Sequence, residues 1–301
     1  MKITYYFKVV IGFIKSYILL IKTLYKGECY FGPFVGEFGH LLSHIIPFVT
    51  FLHSRGVKVR YCGPSIHKPF FYDQCGIDIT YTYLELRDFY SEVSPVCNNQ
   101  VFPNDVKSKV DNFCIDAFNS NLPFWDIRDF FYYWDVFCKW EYFNNFISIY
   151  KHVKVNISEK SVVLFARKKG SYTPVRGDDW DFQSVVDNIK NLVDKVYVLG
   201  HPAFSYNIKS DSKVEVLLTS DNNVIIDKCK RANLIINQLS GTHYLGVYYD
   251  TPVLLLLKGK IDYSNIKKDM KYRKLLGAKH DFIFVHNIND LKLKINEISN
   301  E

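Results

Sequence analysis

The sequence predicts an α/β protein of two Rossmann-like domains preceded by an amino-terminal amphipathic helix, and three observations lead there. Short apolar strands alternate with helical stretches at the spacing of βαβ units in both halves of the chain. In the second half those strands are near-continuous apolar runs, the pattern of a parallel sheet covered on both faces. At 301 residues the chain has room for two domains of about 150 residues each.

The first element is the amino-terminal helix. Residues 3–24 are dominated by Ile, Leu, Val, Phe and Tyr. A signal peptide needs an uninterrupted apolar stretch and a small-residue cleavage site, and neither is present. A membrane-spanning helix would carry Lys8 and Lys15 near its middle, at about 2.5–3.5 kcal/mol each. On a helix, Lys8, Lys15 and Lys22 drift by only about 20° per step, and Lys26 lies near the same line. One lysine stripe on an otherwise apolar cylinder describes a helix lying in a membrane interface, with its amines toward anionic headgroups. The alternative is a helix of the first domain whose lysines point to solvent.

The rest follows in order. GECYFGPFVGEFGH (Gly27 to His40) reads as a strand ending in a glycine-rich turn, and LLSHIIPFVTFLHSRG (Leu41 to Gly56) as a helix ended by glycine. VKVRYCGP (Val57 to Pro64) and IDITYTYL (Ile77 to Leu84) are the next strands. The aromatic-dense stretch from Asn98 to Tyr150 carries polar residues at helical intervals, so it reads as helices closing the first domain. Lys151 to Lys160 has the polarity of a linker, with the domain boundary at 155/156. Beyond it come strands at Ser161, Lys195, Val214, Ala232 and Pro252. Helices fall at Asp179 to Val193 (capped by Asp178 or Asp179), Asn222 to Arg231 and Thr242 to Asp250.

Composition narrows the function. Of the net charge of +7, five lysines (Lys2, Lys8, Lys15, Lys22, Lys26) precede the first acidic residue, Glu28. The remaining body is nearly balanced and lacks the basic face of a nucleic-acid-binding protein. The seven cysteines are odd in number and contain no C-x-x-C pair, which suits reduced thiols in a cytosolic protein rather than a disulfide framework or a zinc ribbon. No H-E-x-x-H, paired metal-carboxylate or Walker motif and no G-x-S-x-G elbow is present, and no Asp-x-Asp falls at a strand end, so no metal or cofactor is expected.

In parallel α/β sheets ligands bind beyond the carboxyl ends of the strands. There the second half places Ser240, Gly241, Thr242 and His243, where small residues let the backbone approach a phosphate. The same residues also suit a capped helix start. Arg167, Lys168, Lys169 and Arg176 follow the first strand of that half and suit a diphosphate, or form a solvated basic loop. His201-Pro202 ends the next strand at the same edge. In the first half the turn Gly36-Glu37-Phe38-Gly39-His40 holds a carboxylate that can take a proton from an attacking hydroxyl, or cap the helix that follows. His40 is adjacent, and His44 is one turn further on.

These residues together resemble the heptosyltransferase family of bacterial glycosyltransferases, of GT-B architecture. GEFGHLLSHIIPFVTFL matches the glycine-acid turn and following helix of their first domain, and SGTHYLGVYYDTPVLLL the serine/threonine-glycine turn, histidine and Thr-Pro of their donor domain. Family members usually carry aspartate where this chain has Glu37, and the lysine-rich helix is additional. The His201-Pro202 pair with a later Ser-Gly-Thr also resembles transferases that use CMP-activated sialic acid or Kdo. The resemblance implies an acceptor-side domain (27–155) with Glu37 as catalytic base and His40 beside it, and a donor domain (156–301) whose Ser240–His243 turn holds the donor phosphates. The expected partners are a nucleotide-sugar donor, a glycan or lipid-linked acceptor and an anionic membrane surface, with the protein at the inner face of the cell membrane. A non-catalytic subunit of a polysaccharide assembly complex, or a nucleotide-sugar epimerase, would use the same fold.

Overall fold

The strands assemble into two sheets, and within the described residues every strand pairing is parallel. The computed structural model describes residues 2–36, 38–75, 83–89, 92, 102–127, 159–168, 180–257 and 263–299. Glu37, Lys169, Arg176, residues 77–82 of the strand expected at Ile77 to Leu84, the domain boundary expected at 155/156 and the aromatic run beyond Ile127 lie outside that set. The chain divides into two units, Met1–Tyr150 and Lys151–Glu301.

In the first unit β1 (Glu28–Gly32) pairs with β2 (Lys58–Pro64) on one side and β4 (Phe124–Asp126) on the other. With β3 (Tyr83–Leu86) beyond β2, the order is β3-β2-β1-β4. The core face is built from rings. Phe31 stacks on Tyr61 at 6.2 Å, Tyr61 meets Phe71 at 4.5 Å, and Phe48 meets Trp125 edge-on at 4.9 Å. Such pairs prefer offset and edge-to-face geometry, so these rings are core packing.

Phe124–Asp126 is a correction, because the aromatic stretch was expected to be helical throughout. A strand of three residues is too short to display alternation, and aromatic side chains fit a half-buried sheet surface well. Further upstream in the same stretch the helix is present, as Asn104–Asn119.

The helix expected over Leu41 to Gly56 is also interrupted. A turn at Phe38–His40 (α2) leads into a π-helical segment, Leu41–Ile45, before α3 (Ile46–Ser54). Pro47 accounts for the widening: it has no N–H to give the Ser43 carbonyl four residues back, and its ring crowds that oxygen.

The amino-terminal helix α1 (Lys2–Lys26) packs on the first unit by an unexpected face. Gly12, Ser16, Leu20 and Thr23 are buried, so the inward face is mostly small and polar residues with one leucine. Trp125 Nε1 donates to Thr23 Oγ1 at 2.9 Å, and that hydroxyl donates to the Leu19 carbonyl at 2.8 Å. The large apolar residues face out: Ile14 is 50% exposed, Ile18 48%, Ile21 58% and Tyr25 86%. Lys15, Lys22 and Lys26 are exposed along one border of that apolar arc. Among the described residues no helix is long and apolar enough to cross a membrane.

The second unit carries six strands in the order β10-β9-β8-β5-β6-β7. These are β5 (Ser161–Phe165), β6 (Lys195–Gly200), β7 (Val214–Leu218), β8 (Leu234–Asn237), β9 (Val253–Leu256) and β10 (Phe282–Val285). Central strands β5, β8 and β9 are buried at every residue, as helices on both faces require. Val162, Leu164, Phe182, Val186, Val198 and Ile236 belong to its core. The helix at Phe182–Ile189 is capped by Asp181, whose side chain accepts from Ser184 N–H at 3.1 Å, and not by Asp178 or Asp179.

Candidate functional site

Among the described strands the order reverses once in each sheet, and several of the residues proposed from sequence follow the strands at those reversals. The second sheet runs β5, β6, β7 to one side and then returns to β8 on the other side of β5. A crevice opens at such a point, where the loops beyond neighbouring strands leave in opposite directions. Arg167 and Lys168 follow β5 there, His201 follows β6, and Ser240, Gly241 and Thr242 follow β8.

The β5 edge is shaped by a strap, residues 201–206. Lys168 N–H donates to the Phe204 carbonyl at 2.7 Å and Tyr206 N–H to the Ala166 carbonyl at 2.8 Å, while Arg167 and Ser205 form an antiparallel bridge. Gly200 makes the close approach possible: a Cβ there would lie 2.1 Å from Ser205 Oγ. Arg167 and Lys168 are exposed on the outside of this strap. His201 Nδ1 accepts from Ala203 N–H at 3.1 Å, which places the neutral ring's proton on Nε2. Its ring lies 5.1 Å from Phe204.

The β8 edge is a small hydroxyl cluster. Asn237 ends the strand at 0% exposure, Ser240 is 6% exposed, and Gly241 and Thr242 are partly exposed. A helical turn (Gly241–Tyr244) and a short helix (Leu245–Tyr248) then cross to β9.

His243 belongs to this turn but faces inward, with 1% of its surface exposed. Its Nε2 lies 3.3 Å from Asp269, which also accepts from Tyr244 Oη at 3.0 Å. Arg273, itself 2% exposed, donates to the His243 carbonyl at 2.6 Å and to the His280 carbonyl at 3.0 Å, with its guanidinium over the Phe282 ring. Burial holds the imidazole below its usual pKa despite Asp269, and lowers the guanidinium to about 10. The ring therefore braces the loop from beneath, and its imidazole does not reach the surface that Thr242 presents.

In the first sheet β1, β2 and β3 run to one side and β4 lies on the other side of β1. Gly36 and the turn Phe38–His40 follow β1 at that reversal, on either side of Glu37. Ser43 Oγ donates to the Gly39 carbonyl at 2.7 Å, so the bond between that oxygen and His44 Nδ1 takes its proton from the imidazole. His44 is 4% exposed and its ring lies 5.3 Å from that of His40, which is partly exposed.

Two polar residues at these edges went unnoticed in sequence. Asn237 closes an otherwise apolar strand, LIIN, and that polar ending was a readable signal. Asp126 ends β4 opposite Gly32; it was hidden because its segment read as helix. Among the described residues no cluster of His, Cys, Asp and Glu could hold a metal ion. Burial raises the thiols of Cys29 and Cys229 well above the usual range and Cys62 to about 12, so these cysteines are inert packing groups.

No protein-family profile matches the sequence. No curated protein matches it either. Among solved structures, the E. coli heptosyltransferase WaaC with ADP-2-deoxy-2-fluoro heptose superposes with a TM-score of 0.51 at 9% identity, over 90% of this chain and 99% of that one. E. coli ADP-heptose lps heptosyltransferase II gives a TM-score of 0.48 at 11% identity, over 91% and 97%. The dodecameric iron-containing glycosyltransferase TibC from enterotoxigenic E. coli gives 0.39 at 13% identity, over 76% of this chain and 59% of that one. The match to WaaC spans both units and establishes the two-domain α/β fold, the GT-B architecture expected from sequence.

Proposed function

We propose, from that shared GT-B fold, that the chain transfers a sugar from a nucleotide-activated donor to a hydroxyl of a cell-surface glycan such as lipopolysaccharide or capsule, without a bound metal. One observation supports the reading: among the described residues, Gly36 and the Phe38–His40 turn follow β1, and Arg167 and Ser240–Thr242 follow β5 and β8, at the carboxyl ends of strands where each sheet reverses its order. Arg167, Lys169, Arg176, His201 and the Ser240–Thr242 turn would hold the diphosphate and stabilise it as it leaves, the work a metal does in other transferases. Glu37 would take the acceptor proton, with His40 beside it. His243 would serve by holding the loop. A thermal-shift screen against UDP-, GDP-, ADP- and CMP-linked sugars tests this. A ligand present at a hundred times its Kd adds about 2.7 kcal/mol of stability. No stabilisation by any of the four would overturn the reading in favour of a non-catalytic subunit.

Such an acceptor is lipid-linked, and α1 suits a position at the inner membrane face. Its outward arc of Ile14, Ile18, Ile21 and Tyr25 would sink into the headgroup boundary, with Lys15 and Lys22 at its border beside anionic lipids. Each lysine near an anionic surface contributes about 1 kcal/mol. Changing Lys8, Lys15 and Lys22 to Glu should therefore weaken binding to anionic liposomes by about 100-fold or more while leaving the fold intact. High salt should weaken the wild type only in part, because it screens charges and not apolar burial. Equal partitioning of the wild type and the triple variant would remove the membrane assignment.

A further inference from the structure

Asn237 joins two hydroxyls into a closed ring at the end of β8. Its Nδ2 donates to Thr242 Oγ1 over 2.7 Å, Ser240 Oγ donates to its Oδ1 over 3.0 Å, and the two hydroxyl oxygens lie 2.9 Å apart. Counting protons gives the ring a direction. Ser240 has one hydroxyl proton, already used on Asn237, so the contact between the hydroxyls takes its proton from Thr242.

The bonds are not equally replaceable. Breaking either bond to Asn237 would orphan a polar atom of a side chain with no exposed surface. Breaking the bond between the hydroxyls orphans nothing at Asn237 and leaves Ser240 its bond to the carboxamide. Thr242 is the partly exposed member, whereas Ser240 is 6% exposed. With a lone pair already engaged by Asn237, the Thr242 O–H is also polarised as a donor.

We propose that Asn237 is a positioning residue: it fixes Thr242 Oγ1 so that its proton turns outward to an anionic phosphate oxygen when a nucleotide binds. The ring is closed in the free protein and opens at the hydroxyl-to-hydroxyl bond in the complex. An anionic acceptor is favoured over a neutral one, because hydrogen bonds to a charged partner are roughly twice as strong. This rests on the reading of the β8 edge as the nucleotide subsite.

The test is calorimetric titration of the full chain with ADP, UDP, GDP and CMP. The wild type should bind at least one of them. Thr242→Val keeps the side chain's shape without the O–H and should weaken that binding about tenfold or more, while Thr242→Ser should restore it. Asn237→Asp should match the loss at about pH 8, because a carboxylate accepts from both hydroxyls and draws the Thr242 proton inward. As the pH falls and the acid protonates, it donates to Thr242 as the amide did and affinity recovers, whereas Thr242→Val stays weak. A merely structural defect would show no such recovery. Wild-type affinity in Thr242→Val, or in Asn237→Asp at about pH 8, overturns the inference and leaves the nucleotide site standing. A wild type that binds none of the four overturns both.

Discussion

Glu37→Gln is expected to lower turnover roughly 100- to 10,000-fold on the true acceptor while leaving nucleotide binding intact. A glutamine keeps the shape and hydrogen bonding of the side chain but cannot take a proton from an attacking hydroxyl. Its position gives the reason for choosing it. Gly36 and Phe38, its neighbours, follow β1 where the first sheet reverses, whereas the cations and hydroxyls proposed for the donor lie in the second unit. The substitution should therefore move kcat and spare the Kd of the nucleotide. The measurement is kcat on a lipid-linked acceptor together with nucleotide titration of the same preparation. Wild-type turnover would withdraw the base assignment. Asp126, which ends β4 opposite Gly32 at the same reversal, is then the next carboxylate to replace.

Gly246→Ala should cost about 3 kcal/mol or more of stability. Gly246 lies in the short helix that crosses from β8 to β9, all of whose residues are buried. A Cβ there would come within 2.4 Å of Val253 Cγ2 and 2.7 Å of the Thr251 carbonyl oxygen. The valine could rotate away, but the second contact is backbone and can yield only if the helix lifts off the sheet. For a unit of this size the cost corresponds to a fall in Tm of roughly 10 °C. Because the same crossover carries Ser240 and Thr242, nucleotide affinity should fall as well. Thermal unfolding followed by circular dichroism, with titration below the new midpoint, separates the two effects. An unchanged midpoint would show that the crossover is more plastic than its packing indicates.

Periodicity and apolar content were enough to read the fold class. The apolar runs at Val162–Phe165, Val196–Leu199 and Ile235–Ile236 are the strands their composition and length predict, and the helix at Asn222–Arg231 lies where its pattern places it. The candidate loops were legible for the same reason: ligand-binding loops follow strand ends, and strand ends show as a switch from apolar runs to Gly, Ser and Thr. Locally encoded features were visible because neighbours in sequence make them.

What sequence could not supply depends on residues far apart in the chain. That β4 pairs with β1, and that α1 is pinned by Trp125 to Thr23, involve partners about a hundred residues apart and leave no periodic trace. The lysine stripe of α1 was readable, but which arc faces the body was not. Large residues normally mark the inward face, and here Gly12, Ser16 and Thr23 lie there with Leu20, the one large apolar side chain among them. The inward turn of His243 likewise depends on Asp269 and Arg273, contributed by a helix more than twenty residues later. Sequence alone determined two parallel α/β units and the loops where chemistry can occur. Tertiary structure alone decided which side chains in those loops are exposed and which are buried beneath them, because burial and hydrogen-bond partners are properties of the packed chain and not of the residue.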